Sequence, residues 1–121
     1  MRVLTFEIDG ERYGLEASAV CEVLPAAQLT PVAGSPAALE GMLNVRGSVV
    51  RVVSARACLS LDAAPMRASD HLIVASIGGS RFALHVDRAV DIFELDDSTV
   101  ESDRAQISSD LCGTSLARLS D

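Results

Sequence analysis

Three short turn signals, each set between apolar runs, most constrain what this chain can fold into. They are "VLTFEIDGERYGL" around Asp9-Gly10, "MLNVRGSVV" around Gly47, and "VASIGGSRFAL" around Gly78-Gly79. Each reads as strand, tight turn, strand. In the first, Leu4, Phe6 and Ile8 alternate with Thr5, Glu7 and Asp9, the period of a half-buried strand. The runs "MLNV" and "SVVRVVSARACL" are too β-branched for a comfortable helix. Between them, Gly47-Ser48 predicts a two-residue hairpin turn with glycine first.

The remaining elements follow the same pattern. "AVCEVL" (19–24) reads as a short strand with Glu22 among apolar neighbours. "PAAQLTPVAGSPA" holds three of the four prolines and reads as a loop. Ser35-Pro36 suits an N-cap and first helical position, which predicts one helical turn over "PAALEG" before Gly41. "DAAPMRASD" (62–70) is a second loop. "HLIVASI" is apolar on both faces, as a central strand is. In "RFALHVDRAVDIF", Phe82, Leu84, Val86, Val90 and Ile92 share one strand face, with His85, Asp87 and Asp91 opposite. Phe82, Val86, Ala89, Val90 and Phe93 also make a helical stripe. The adjacent Gly-Gly turn and the alternation favour strand, with Arg88 marking a bulge. The expectation is a single all-β domain over residues 1–121, built of about six short strands as small barrels or a sandwich.

Composition excludes several functions. The 121 residues are 49% hydrophobic, a globular composition. The formal net charge is −7, all ten basic residues are arginine, and no basic stripe exists. The electrostatic attraction behind most nucleic-acid binding is therefore missing. An anionic membrane surface is disfavoured for the same reason. The N-terminal stretch has no uninterrupted apolar run of signal-peptide type, and no run approaches the ~18 residues of a membrane span. The expected location is the cytosol, with Cys21, Cys58 and Cys112 as reduced thiols.

Catalytic constellations are weak. His85 and Asp87 in "HVD" fall on one side of a strand, so a His-Asp pair or two metal ligands are geometrically possible. With two histidines and no cysteine at ligand spacing, a solvated strand face is the better reading. "ELDD" lacks the pattern of a calcium loop, and "GGS" is too short to cradle a phosphate. No cofactor and no metal are expected, and a small hydrolase or metal enzyme is the alternative from another class. A binding surface is easier to argue. Arg46 stands at a strand end with Asn44 on its own side, and Glu22 interrupts an apolar strand beside Val20. Charges in such places serve edge protection or partner contact.

Three stretches, in order and at suitable spacing, resemble the CheW-like domain, the coupling protein of bacterial chemosensory arrays. They are "YGL" with "AVCEVLP", then "LTPVAGSPAALEGMLNVRGSVVRVV" with its N-x-R-G, then "HLIVASIGGSRFALHVDRAVDIFEL". The resemblance implies two small packed five-stranded, SH3-like β-barrels and no catalysis. It implies two partners: the cytoplasmic helical tip of a methyl-accepting chemoreceptor, and the regulatory domain of a chemotaxis histidine kinase or another CheW-like protein. It also implies a receptor-binding site at Val20, Glu22, Gly41 and Arg46, with Asn44 and Gly47 completing the motif. A receptor tip is a helical hairpin, and a groove can accept its apolar face. Glu22 is expected to orient Arg46 in the free protein.

The chain departs from the family pattern in three places. Arg51 stands where the family has proline, and Ser54-Ala55-Arg56 keeps only the arginine of D-L-R. The family's closing segment resembles "GTSLARLSD" and then runs on through a strand and a helix. The expectation is therefore a missing last strand and an exposed edge, covered by a rearranged tail, a second copy in a homodimer, or a partner chain. The implied function is an adaptor that binds receptor with weakened or absent kinase coupling, the alternative being a full receptor–kinase coupler.

Overall fold

The computed structural model describes the backbone of residues 2–94, 100–106 and 115–119, and the side chains of residues 2–94. The strands are β1 (Arg2–Ile8), β2 (Glu11–Glu16), β3 (Val20–Pro25), β4 (Leu39–Val45), β5 (Ser48–Ser54), β6 (His71–Ile77), β7 (Ser80–Val86), β8 (Arg88–Glu94), β9 (Val100–Gln106) and β10 (Ser115–Leu119). One short helix, α1 (Ala55–Cys58), follows β5. They form two five-stranded sheets, in the orders β8-β1-β2-β10-β9 and β3-β6-β7-β5-β4.

The all-β expectation holds, but the closed barrels do not. Among the described residues neither sheet pairs its two end strands. In the second sheet one cause is visible: Thr30 bridges Met42 and occupies the outer edge of β4. The expected gap in the first sheet is filled by β10. β10 pairs antiparallel with both β2 and β9, so the first sheet has its five strands.

All three turn signals make hairpins with two central residues at positive φ: Asp9 and Gly10 at 52° and 79°, Arg46 and Gly47 at 52° and 85°, Gly78 and Gly79 at 58° and 80°. That is the mirror-image turn whose twist matches the flanking strands. Aspartate and glycine suit it. Arg46 does not, and the expected Gly47-Ser48 turn is displaced by one residue because Val45 pairs with Ser48.

The second sheet is covered on both faces, which explains the apolar run of β6. Ile73 and Ala75 join Val53, Phe82, Leu84 and Val86 against Leu4, Phe6, Ile8, Tyr13 and Leu15 of the first sheet. Leu72 and Val74 face the other way, onto Val45, Val50, Val52 and Ala83. Leu24, Leu29 and Leu43 pack around this second cluster. Burying ring and branched side chains at each face contributes about 1.5–3 kcal/mol apiece, the main force holding the layers.

Bulges interrupt the edge strands β3, β4 and β8, and the β9–β10 register shifts as well. Cys21 is an extra residue in β3, Glu40 in β4 and Val90 in β8, each facing no partner of its own. The bulge expected at Arg88 thus lies two residues on. The segment read as one strand is two, broken at Asp87 where the chain passes from the second sheet to the first.

Three further expectations change. Residues 36–39 close a single turn, Leu39 N–H donating to the Pro36 carbonyl at 3.0 Å, and lead straight into β4 without a helix. Ser35 bonds Val32 instead of capping. The helix forms after β5, where the Ser54 hydroxyl accepts the Ala57 N–H at 3.2 Å. Cys21 is free and exposed, but Cys58 is disulfide-bonded, against the reading of three reduced thiols. No helix among the described residues is long and apolar enough to cross a membrane.

Candidate functional site

The site begins with the curl of the second sheet. β3 and β4 are its opposite edges, yet a side-chain pair joins them across the open seam. Arg46 Nε donates to Glu22 Oε2 at 3.0 Å and Nη2 to Oε1 at 3.1 Å. This two-pronged geometry is the strongest an arginine makes with a carboxylate. The Arg46 side chain is still 76% exposed, so the pair presents its guanidinium to solvent. Its bonds hold Glu22 below the usual carboxylate range and raise the Arg46 pKa in turn. The expectation that Glu22 orients Arg46 is met.

The turn carrying Arg46 is fixed from inside. Asn44 Oδ1 accepts the Gly47 N–H at 2.9 Å, which satisfies a donor the hairpin leaves over. A non-glycine residue in the left-handed region persists only where its surroundings over-determine it. Here Asn44 holds the backbone from one side and Glu22 holds the side chain from the other.

The structure therefore brings Glu22, Asn44, Arg46 and Gly47 together. Val20 opens β3 two residues before Glu22 but is half-buried against the inter-sheet core. Gly41 lies on β4 where the 26–38 loop crosses it. A Cβ there would come within 2.7 Å of the Thr30 carbonyl oxygen and 3.0 Å of Leu29 Cβ. Its absence of side chain is a packing requirement. Arg51, set among valines, turns back along its own sheet, its guanidinium 5.9 Å from the Phe82 ring centre and bonded to Ser80 Oγ at 3.0 Å.

Two polar clusters went unread in the sequence. Arg56 Nη2 donates to Asp9 Oδ1 at 2.6 Å and to Asp87 Oδ2 at 2.8 Å, and Asp87 also accepts the Asp9 N–H at 2.9 Å. This ties α1 to the first hairpin turn and to the crossing between sheets. The Asp9 bond raises the Arg56 pKa against the opposing effect of burial. The second cluster is His85 with Glu40 and Asp70, each 2.7 Å away. His85 is buried, which corrects the reading of a solvated strand face. Its acid partners are these two residues, distant in sequence, and not Asp87. No signal in the linear order pointed to them. No group of metal-holding residues occurs among the described ones.

An open two-layer β fold presents a bidentate, solvent-facing ion pair at a hairpin tip. The CheW-like domain family matches residues 2–117, and the chain belongs to that family. It is similar to the chemotaxis protein CheW of Treponema pallidum, 21% identical over 105 residues, covering 84% of this chain and 62% of that protein. It is also similar to CheW of Rhizobium meliloti, 27% identical over 99 residues, covering 82% of this chain and 64% of the relative. The chain thus spans less than two-thirds of the length of both relatives. Among solved structures, the scaffolding protein TtCheW of Thermoanaerobacter tengcongensis superposes with a TM-score of 0.75 at 24% identity, over 83% of this chain and 68% of that one. That likeness shows the fold.

Proposed function

We propose that this chain is a non-catalytic, cytoplasmic adaptor of a chemosensory array that binds the helical tip of a chemoreceptor. Glu22, Asn44, Arg46 and Gly47 form the centre of the contact, with Val20 and Gly41 on the same strands. The observation that carries the reading is Arg46. Its backbone is in a conformation arginine disfavours, and its charged end is clamped yet open to solvent. Strain held in place at an exposed charge is characteristic of a recognition site. An arginine so presented meets a carboxylate or the C-terminal carbonyls of a helix.

The second partner of a coupling protein is the regulatory domain of the kinase, or another CheW-like protein. We place kinase engagement as the weaker of the two. What supports this is local divergence: Arg51 replaces the family proline and continues β5 as a regular strand, and Ser54-Ala55 replace Asp-Leu. Titration of the purified protein with a receptor-tip fragment, and separately with a kinase regulatory domain, tests both statements. The expected result is saturable receptor binding that Arg46→Ala weakens. Tight kinase binding without receptor binding overturns the reading, and equal affinity for both makes the chain a full coupler.

A further inference from the structure

His85 is 5% exposed, on the Ala83 side of β7, with a carboxylate on each ring nitrogen. Nδ1 lies 2.7 Å from Glu40 Oε1 and Nε2 lies 2.7 Å from Asp70 Oδ2. A neutral imidazole carries one N–H and one lone pair. A lone pair set 2.7 Å from a carboxylate oxygen is repelled, so with both acids ionised the two contacts are attractive together only when both nitrogens carry protons. Asp70 is committed as the anion: its Oδ2 also accepts the Arg67 N–H at 2.9 Å, and Arg67 Nε stands 3.5 Å from Oδ1.

The other surroundings offer no competing charge at the ring. From β5 the register partner is Ser54, whose hydroxyl is engaged with Ala57. From β6 it is Leu72, and neighbouring His71 accepts the Ala89 N–H through Nδ1. Beyond Arg67 comes Asp87, 3.7 Å from Arg67 Nη2, and then Arg56 and Asp9. Charges alternate along the whole chain from Glu40 to Asp9.

Glu40 reaches His85 because it is the extra residue of the β4 bulge, and bulges re-aim side chains. It stands at the base of the hairpin whose tip holds Asn44 and Arg46. β4 is an edge strand, so side-chain ties at that base matter more than they do in a central strand.

We propose that His85 is a proton-linked positioning residue: as an imidazolium it bolts the bulged base of the β4–β5 hairpin, through Glu40, to the loop ending at Asp70. Loss of its proton loosens the hairpin that carries Asn44 and Arg46. Its bearing on partner binding rests on the adaptor reading above. Burial of the ring pulls its pKa down, but the bonds to Glu40 and Asp70 outweigh burial and leave it raised. The bolt is therefore complete below the unfolded value near 6.5 and is lost as pH rises through the folded one.

The test is nitrogen-15 NMR of the histidine rings in the full chain, with His71→Gln used for assignment. The expected result at about pH 7 is His85 with both ring nitrogens protonated. Raising the pH should move the β4 amides, Glu40 to Val45, along the same titration curve. Glu40→Gln keeps the size of the side chain and should lower the His85 titration by about one pH unit. A neutral His85 tautomer at that pH, β4 amides that stay still as the ring titrates, or an unchanged titration in Glu40→Gln each overturns the proposal. Receptor-tip affinity measured over the same range separates the two readings. Failure to bind at any pH, with the NMR result intact, overturns the adaptor reading and leaves the bolt standing.

Discussion

Arg46 and Glu22 close the seam of the second sheet with a paired contact, Nε to Oε2 at 3.0 Å and Nη2 to Oε1 at 3.1 Å. Where a barrel would run a backbone ladder between its end strands, this protein places a salt bridge at the mouth. Exposed pairs of this kind add little to stability. Arg46→Ala should therefore leave the thermal midpoint nearly unchanged while weakening receptor-tip affinity about tenfold, as loss of a charge-assisted bond at an interface does. Calorimetric titration alongside thermal melting checks it, and a large fall in the midpoint would assign Arg46 to the fold instead.

The backbone at Arg46 gives a sharper version of that test. A φ of 52° costs an arginine energy that it does not cost a glycine. Arg46→Gly should thus raise the midpoint while affinity falls. Opposite movement of the two quantities is the signature of strain kept for recognition. A midpoint that falls with affinity argues that the side chain is structural.

Gly41 answers a different question. Any Cβ there would press on the Thr30 carbonyl oxygen at 2.7 Å, and that carbonyl is fixed by accepting the Met42 N–H. Gly41→Ala should cost about 1–3 kcal/mol, read as a lower urea midpoint with the slope unchanged. Any loss of partner binding by this variant follows from displacement of the 26–38 loop.

Much of this was legible in the chain, but unevenly. Asp9-Gly10 and Gly78-Gly79 marked their hairpins because those residues enter left-handed conformations readily. Arg46-Gly47 misled by one position, since arginine is a poor left-handed residue and the pairing of Val45 with Ser48 decided the register. The alternation in β7 gives the face each residue takes but not whether that face is buried. His85 does point away from Leu84, but the second sheet is covered on both faces, so pointing away still means burial. The bulge that aims Glu40 at His85 depends on how β4 pairs with β5, which no local pattern encodes. The Glu22–Arg46 pair was legible only through the family resemblance.

Arg56 holds three elements with one side chain, bonding Asp9 at 2.6 Å and Asp87 at 2.8 Å. Its own side chain is 13% exposed and that of Asp87 19%, so removing it leaves a largely buried carboxylate with the Asp9 N–H and the more distant Arg67, 3.7 Å away. Arg56→Ala should cost about 1–3 kcal/mol. Arg56→Ala with Asp87→Asn should recover part of that loss, because the amide carries no charge to lose its nearest cation. A double variant no more stable than the single one would place the effect in packing of the arginine stem.

The acid limb of the stability curve should belong in part to Asp70. Burial pushes its pKa up, but the Arg67 N–H and the His85 ring outweigh burial and leave it below 3.8. A depressed carboxylate stabilises the fold above its unfolded pKa and loses that contribution as pH falls through the folded one. Asp70→Asn should therefore flatten the decline of the thermal midpoint as pH falls through and below the unfolded value of 3.8, with a lower midpoint near neutrality. The same variant takes one carboxylate from His85, so its ring should titrate at lower pH than in the wild type. An acid limb that is unchanged in Asp70→Asn assigns it to other carboxylates.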